Sequence, residues 1–202
     1  MDIDAFILIG GRSSRLGVDK AFVQFAGEML AIRAARTIET ALAPTLVTLV
    51  AAANDQFDPE RLSTLGRPVI FDLNPGFGVW SGLHAALRSA RKEWIFFSAC
   101  DHPFMTAEFL KLLATKVADH YDAVVPRQPG GRLQPLCSFY RVSAALAIVD
   151  GILSNDKGVP ALTMIFDSLR THILEPEKYS HLENADKFFL NINTPSDLAS
   201  AS

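Results

Sequence analysis

Ala5-Phe6-Ile7-Leu8-Ile9 runs straight into Gly10-Gly11-Arg12-Ser13-Ser14-Arg15-Leu16-Gly17-Val18-Asp19-Lys20. A short run that is apolar at every position suits a strand buried on both faces, the kind found in parallel sheets. The glycine pair ending it lets the backbone come close to a ligand, and successive amides in such a loop can point at phosphate oxygens. Arg12, Arg15 and Lys20 add cations in the same stretch, as anion binding requires. Gly-x-Gly-x-x-Gly is absent and there is no Gly-Lys-Ser/Thr ending, so a dehydrogenase or a P-loop ATPase is disfavoured. Loop chemistry alone leaves open a glycine-rich turn with solvated basic residues.

Downstream, apolar residues recur at helical spacing from Met29 to Leu42 and Pro44 stops the run, which predicts a covering helix. Leu46–Val50, Val69–Phe71 and Trp94–Ala99 read as further buried strands. Leu83–Ala90 and Ala107–Val117 read as helices, with Ser81 and Thr106 as their N-caps. Such alternation predicts an α/β fold: three layers, with a mostly parallel central sheet and helices on both faces. Ala123–Val125 and Leu136–Tyr140 read as strands around Arg127-Gln128-Pro129-Gly130-Gly131, followed by a helix over Ser143–Leu153. Simple alternation breaks there. Thr194-Pro195-Ser196-Asp197 predicts a short terminal helix.

No repeat, low-complexity tract or long linker divides the 202 residues, so residues 1–202 are expected to form one domain. A hydrophobic share of 49% is enough for one sizeable core. The formal charge of -3 and pI near 5.9 offer no general field for nucleic acid or an anionic membrane. No apolar run approaches the roughly 20 residues that span a bilayer, and Met1-Asp2-Ile3-Asp4 lacks the basic start of a secretory signal. A cytoplasmic protein is expected. Cys100 and Cys137 form no Cys-x-x-Cys pair and read as reduced core thiols.

Two carboxylates fall where open parallel sheets bind ligands, at the carboxyl ends of strands. Asp101 follows Phe96-Phe97-Ser98-Ala99-Cys100, and Asp72 follows Val69-Ile70-Phe71. Magnesium takes oxygen ligands and keeps several waters, so one carboxylate plus substrate phosphates can complete its shell. Asp101 is therefore a metal-ligand candidate, against the alternative of a turn former ahead of Pro103. Asp72 could equally be an ordinary turn residue before Asn74-Pro75-Gly76. His102 reads as a turn residue rather than a base, because a phosphate nucleophile is already largely ionised near neutral pH.

Leu8-Ile9-Gly10-Gly11, Arg15-Leu16-Gly17, Asp19-Lys20 and Cys100-Asp101-His102-Pro103 together resemble the signature blocks of the molybdenum cofactor guanylyltransferase (MobA) family. Gly131-Arg132-Leu133-Gln134-Pro135 and Asn191-Ile192-Asn193-Thr194-Pro195 are similar to two further family segments, so the matches run in order along nearly the whole chain. The resemblance implies a Rossmann-like nucleotidyltransferase fold and transfer of GMP from GTP to Mo-molybdopterin, with Mg2+ held by Asp101. It implies catalytic roles for Lys20, Arg15 and Asp101, and nucleotide contacts from Leu8, Ile9, Gly10, Gly11, Lys20, Asn54, Asp72 and Asp101. Electrostatic stabilisation of the departing pyrophosphate would come from Lys20, Arg15 and the amides of Gly10 and Gly11. Gly82, Arg132 and Asn193 would bind substrate, and molybdoenzyme-maturation proteins would be partners.

Two segments depart from the family pattern. Gly78-Val79-Trp80-Ser81-Gly82 stands where the family carries Gly-Pro-Leu-Ala-Gly, and Ala51-Ala52-Ala53-Asn54 where it often carries Asn-Ala-Asn. A base contact would then be lost or shift to Asn54. The doubled glycine leans toward guanine. A molybdopterin cytidylyltransferase, another small-phosphate nucleotidyltransferase, and a non-catalytic nucleotide- or pterin-binding module are the alternatives.

Overall fold

The opening apolar run forms β1 (Ile3–Leu8) at the middle of a seven-stranded sheet. β1 pairs in parallel with β4 (Val47–Ala51) on one side and with β6 (Trp94–Ala99) on the other. The computed structural model describes residues 2–10, 19–42, 47–52, 57–72, 74, 76–154 and 158–192. Beyond β4 lies β5 (Val69–Phe71), again parallel. Beyond β6 come β8 (Cys137–Arg141), β7 (Ala123–Pro126) and β9 (Thr171–Leu174). β8 is antiparallel to both β6 and β7, while β9 runs parallel to β7. Thus β8 alone runs against the rest, and the break in alternation is a reversed strand inserted into a parallel sheet.

The strands alternate their apolar side chains between two cores because successive residues point to opposite faces. Ile3, Ala5, Ile7 and Phe96 pack with Ala31, Ala35 and Ile38 of α1 (Leu30–Leu42) and with Phe109 and Leu113 of α4 (Ala107–Ala114). Phe6, Ile95 and Phe97 pack on the other face with Leu83, Ala86 and Leu87 of α3 (Val79–Ser89) and with Ala145 and Val149 of α5 (Val142–Leu153). Each fully buried Phe contributes roughly 1.5–3 kcal/mol. The expected three layers are therefore present, with strands apolar on both faces.

Thr106 caps α4, its hydroxyl accepting the Phe109 amide at 3.3 Å. Ser81 does not cap α3. That helix begins a turn earlier, after Gly78 at φ 58, because Trp80 is buried and its Nε1 donates to the Pro160 carbonyl at 2.8 Å. A hairpin, β2 (Gln24–Phe25) with β3 (Glu28–Met29), turns through Ala26 and Gly27, both at positive φ. Positive φ at both central residues is the turn that matches strand twist, and it moves Met29 out of the expected helix. Asp58 caps a short α2 (Pro59–Ser63), accepting the Glu60 amide at 2.8 Å. The expected terminal helix after Thr194 lies outside the described residues.

Both cysteines are free and buried. Burial pushes the Cys100 thiol up to about 12 and the Cys137 thiol up as well. Since the thiolate is the nucleophile, iodoacetamide at pH 8 is expected to label neither in the native protein and both after denaturation, as counted by intact-mass measurement. Native labelling of Cys100 would contradict this burial.

Candidate functional site

From β1 the chain passes outward to β4 and β5, then returns through α3 to β6 on the other side of β1. Strand order therefore reverses between β1 and β6, and the crevice outside their carboxyl ends is where open α/β sheets take ligands. The β1 exit is fixed by main chain. Cys100 N donates to Leu8 O at 3.3 Å, while Ile9 N and Gly10 N both donate to Val50 O, at 2.9 and 3.2 Å.

Gly10 crosses directly over the β4 exit, where an added Cβ would lie 2.3 Å from Ala52 N. Only glycine permits that approach. The Gly10 amide, expected to face phosphate, is instead engaged by Val50 O, the acceptor that it shares with the Ile9 amide. Gly10→Ala is expected to destabilise the protein by about 1–3 kcal/mol through backbone displacement, read as a lowered denaturation midpoint. An unchanged midpoint would contradict the close approach.

Lys20 opens a 3-10 turn, Lys20–Phe22, that is anchored on the fully buried Ala21. Phe22 meets Phe57 edge-on at 5.6 Å, and Arg61 of α2 lies over the Phe22 ring at 4.1 Å while its Nη1 stands 3.4 Å from Asp19 Oδ2. So held, Lys20 places Nζ 2.7 Å from Asp101 Oδ2, with side chains 24% and 13% exposed. A charge-assisted contact this short, in partial shelter from water, is stronger than a solvated surface pair.

The Asp101 turn is pinned from three directions. Arg33 Nε of α1 donates to Pro103 O at 2.8 Å, Ile192 N donates to Asp101 O at 3.2 Å, and Phe104 stacks edge-on with Phe25 of the hairpin at 5.5 Å. His102 turns inward. It is 6% exposed, among the described residues its Nδ1 has no hydrogen-bond partner, burial lowers its pKa, and the ring packs edge-on to Phe189. That matches its reading as a turn residue rather than a base.

Asp72 stands at the neighbouring strand exit, its amide donating to Ala51 O at 2.9 Å. Its Oδ1 is buried and, among the described residues, has no hydrogen-bond partner, and desolvation raises its pKa. A buried acceptor with no donor is costly unless something else supplies one. The carboxyl edge thus brings Gly10, Lys20, Asp72 and Asp101 to adjoining strand exits.

Other expected site residues take different positions. Leu8 and Ile9 direct their side chains into the two cores. Gly82 is buried inside α3, where a Cβ would come within 2.6 Å of Leu8 Cδ1. Its smallness seats the helix on β1, and a ligand-lining role is not what its surroundings provide. Arg132 is exposed in the loop between β7 and β8. That loop adjoins the β6 exit, since Ala99 N donates to Leu136 O at 3.2 Å. Gly11, Arg12, Arg15, Asn54 and Asn193 lie outside the described residues.

Arg33 and Arg61 escaped the sequence reading, because their partners are Pro103 and Asp19, residues brought near only by folding. The Asp58-Pro59-Glu60 cap was the one local sign of α2. No described helix is long and apolar enough to cross a membrane.

A glycine crossing and a sheltered Lys–Asp pair at the reversal point of a doubly wound sheet define an α/β protein built to take an anionic, nucleotide-like ligand. Residues 5–168 match the MobA-like NTP transferase domain, and the chain belongs to that family. It is 31% identical over 195 residues to the "Probable molybdenum cofactor guanylyltransferase" of Pelotomaculum thermopropionicum, covering 96% of this chain and 89% of the relative. Similarity to the "Molybdenum cofactor guanylyltransferase" of Desulfosudis oleivorans is 29% identity, over 98% of this chain and 94% of that one. Among solved structures, molybdopterin-guanine dinucleotide biosynthesis protein A from Archaeoglobus fulgidus superposes with a TM-score of 0.75 at 27% identity. The match covers 98% of this chain and 96% of that chain.

Proposed function

We propose that this chain transfers GMP from GTP to the terminal phosphate of Mo-molybdopterin, forming molybdopterin guanine dinucleotide and releasing pyrophosphate. The observation that carries the reading is the Lys20–Asp101 pair at the reversal point of the sheet. The guanylyltransferase names of relatives that align along almost the full chain support the same substrates. In this reading the protein works in the cytoplasm as one domain and passes its product to molybdoenzyme-maturation proteins.

Among the described residues no group of three or more His, Cys, Asp or Glu could cage a metal. A lone carboxylate fits Mg2+, which completes its shell with phosphate oxygens and water. Asp101 would hold it, and the bound ion would supply Lewis-acid polarisation of the α-phosphate. Lys20 would move its ammonium from Asp101 to the triphosphate and stabilise the charge that collects on pyrophosphate. The acceptor phosphate is anionic near neutral pH and needs no base, which agrees with the burial of His102.

Asp72 supports guanine over cytosine. Its ionised carboxylate offers two acceptors, and the N1–H and N2–H2 edge of guanine presents two matching donors, whereas cytosine presents an amino donor beside an acceptor. A donor pair from the base would satisfy the buried Oδ1. GTP with Mg2+ is therefore expected to raise the melting temperature, while CTP and ATP at equal concentration raise it little. Equal or greater stabilisation by CTP would overturn the guanine assignment.

A further inference from the structure

The loop that carries Asp72 is held by α3, through Asn74. Ser81 Oγ donates to the Asn74 main-chain oxygen, and the Asn74 side-chain Nδ2 lies 2.9 Å from His84 Nδ1. On the far side of the same ring, Nε2 lies 2.9 Å from Asp150 Oδ1 of α5. Asp150 also receives Arg88 Nη2, at 3.0 and 2.8 Å from its two oxygens. Ser81 is fully buried and His84 is 8% exposed. None of these five residues has a part in the transfer described above.

Asp150 settles the tautomer. In the neutral ring, a carboxylate 2.9 Å away faces the nitrogen that bears the proton, Nε2, which leaves Nδ1 as the acceptor that an Asn74 amide donor needs. The opposite tautomer would set two acceptors against each other at Asp150 and two donors at Asn74. Arg88 Nε stands 3.3 Å from His84 Nε2; with the proton on Nε2 that approach is part of the charge cluster around Asp150 and not a hydrogen bond. The chain of contacts therefore has a direction: α5 fixes the ring, and the ring fixes the loop.

We propose that His84 is a positioning residue for the nucleotide, setting the Asp72 loop through its acceptor bond with Asn74, in the tautomer that Asp150 selects. The inference rests on the reading that Asp72 meets the base. Groups that orient a ligand-contacting residue are tuned by the hydrogen bond on their far side, and a small displacement of a contact residue weakens binding without unfolding anything. Asn74 follows Asp72 by two positions beyond the end of β5, so the Asn74 contact bears on the chain that leaves Asp72. Affinity for GTP should then follow the Asn74 contact rather than overall stability.

Two isosteric changes separate these effects. His84→Asn sets a side-chain oxygen about where Nδ1 lies and can keep Asn74; His84→Gln reaches the Nε2 position and keeps Asp150 instead. With the full chain, Mg2+ and GTP in isothermal titration, the Gln variant is expected to bind about five- to tenfold more weakly. The Asn variant should stay within about twofold of the parent, less than one lost hydrogen bond. Asn74→Ala should match the Gln variant, and combining Asn74→Ala with His84→Gln should add no further loss, since both remove the same bond.

Melting temperatures of the ligand-free variants serve as the control. Affinities that merely track melting temperature, equal losses in the Asn and Gln variants, or additive losses in the double variant would overturn the proposal. A parent protein that binds GTP while the variants show no such order overturns the role of His84 alone. A parent that does not bind GTP overturns the functional reading along with it.

Discussion

Asp101→Asn is expected to slow GMP transfer on the order of 100- to 1000-fold, the scale of losing one preorganised electrostatic group at a reacting centre. The neutral amide keeps the shape of the side chain and offers one oxygen, but it no longer balances a divalent cation or the Lys20 ammonium. Stability should change far less. The main-chain oxygen of residue 101 still receives Ile192 N, and Pro103 O still receives Arg33 Nε. The cost of removing one member of a partly sheltered pair is about 1 kcal/mol at this exposure. Steady-state turnover beside a denaturation curve separates the two outcomes. Near-parental turnover in Asp101→Asn would remove Asp101 from the mechanism.

Lys20→Ala is expected to weaken GTP binding on the order of 100-fold, as truncating one partner of a sheltered charge contact does. A second effect has the opposite sign. Lys20 Nζ sits 2.7 Å from Asp101 Oδ2, so a cation approaching Asp101 in the absence of nucleotide must displace an ammonium. Removing that ammonium should strengthen the binding of Mg2+ alone. Calorimetric titration with Mg2+, then with GTP, reads both effects in one sample. Unchanged Mg2+ affinity alongside weakened GTP binding would show that Lys20 does not compete for that oxygen.

Much of this architecture was legible because strands buried on both faces are apolar at consecutive positions. Val69–Phe71 and Trp94–Ala99 form strands with the bounds expected from that pattern. β9 escaped because an edge strand that is only partly buried, Thr171-His172-Ile173-Leu174, carries no continuous apolar run. The hairpin of β2 and β3 escaped for a different reason. Its turn uses Ala26 at φ 48 ahead of Gly27, where the recognisable pair would be Asn-Gly or Asp-Gly.

The candidate site divides along a similar line. Asp101, Asp72 and Lys20 stand at strand exits or directly after the glycine loop, so their placement followed from local pattern and topology. The residues that orient them did not. Arg33 reaches Pro103 from α1, Arg61 reaches Asp19 from α2, and His84 joins Asn74 to Asp150 across two helices. Such contacts have no sequence period. Ser81 shows the cost of reading one hydroxyl locally: it looks like a helix cap, yet burial of Trp80 draws α3 a turn further and turns that hydroxyl toward the Asp72 loop.

Pyrophosphate release tests most directly which phosphoryl transfer the chain performs. With Mg2+, GTP and Mo-molybdopterin together, pyrophosphate should appear in step with the guanine dinucleotide, and omission of Mo-molybdopterin should abolish it. Release that is indifferent to Mo-molybdopterin, or that proceeds as well from CTP as from GTP, would contradict the account.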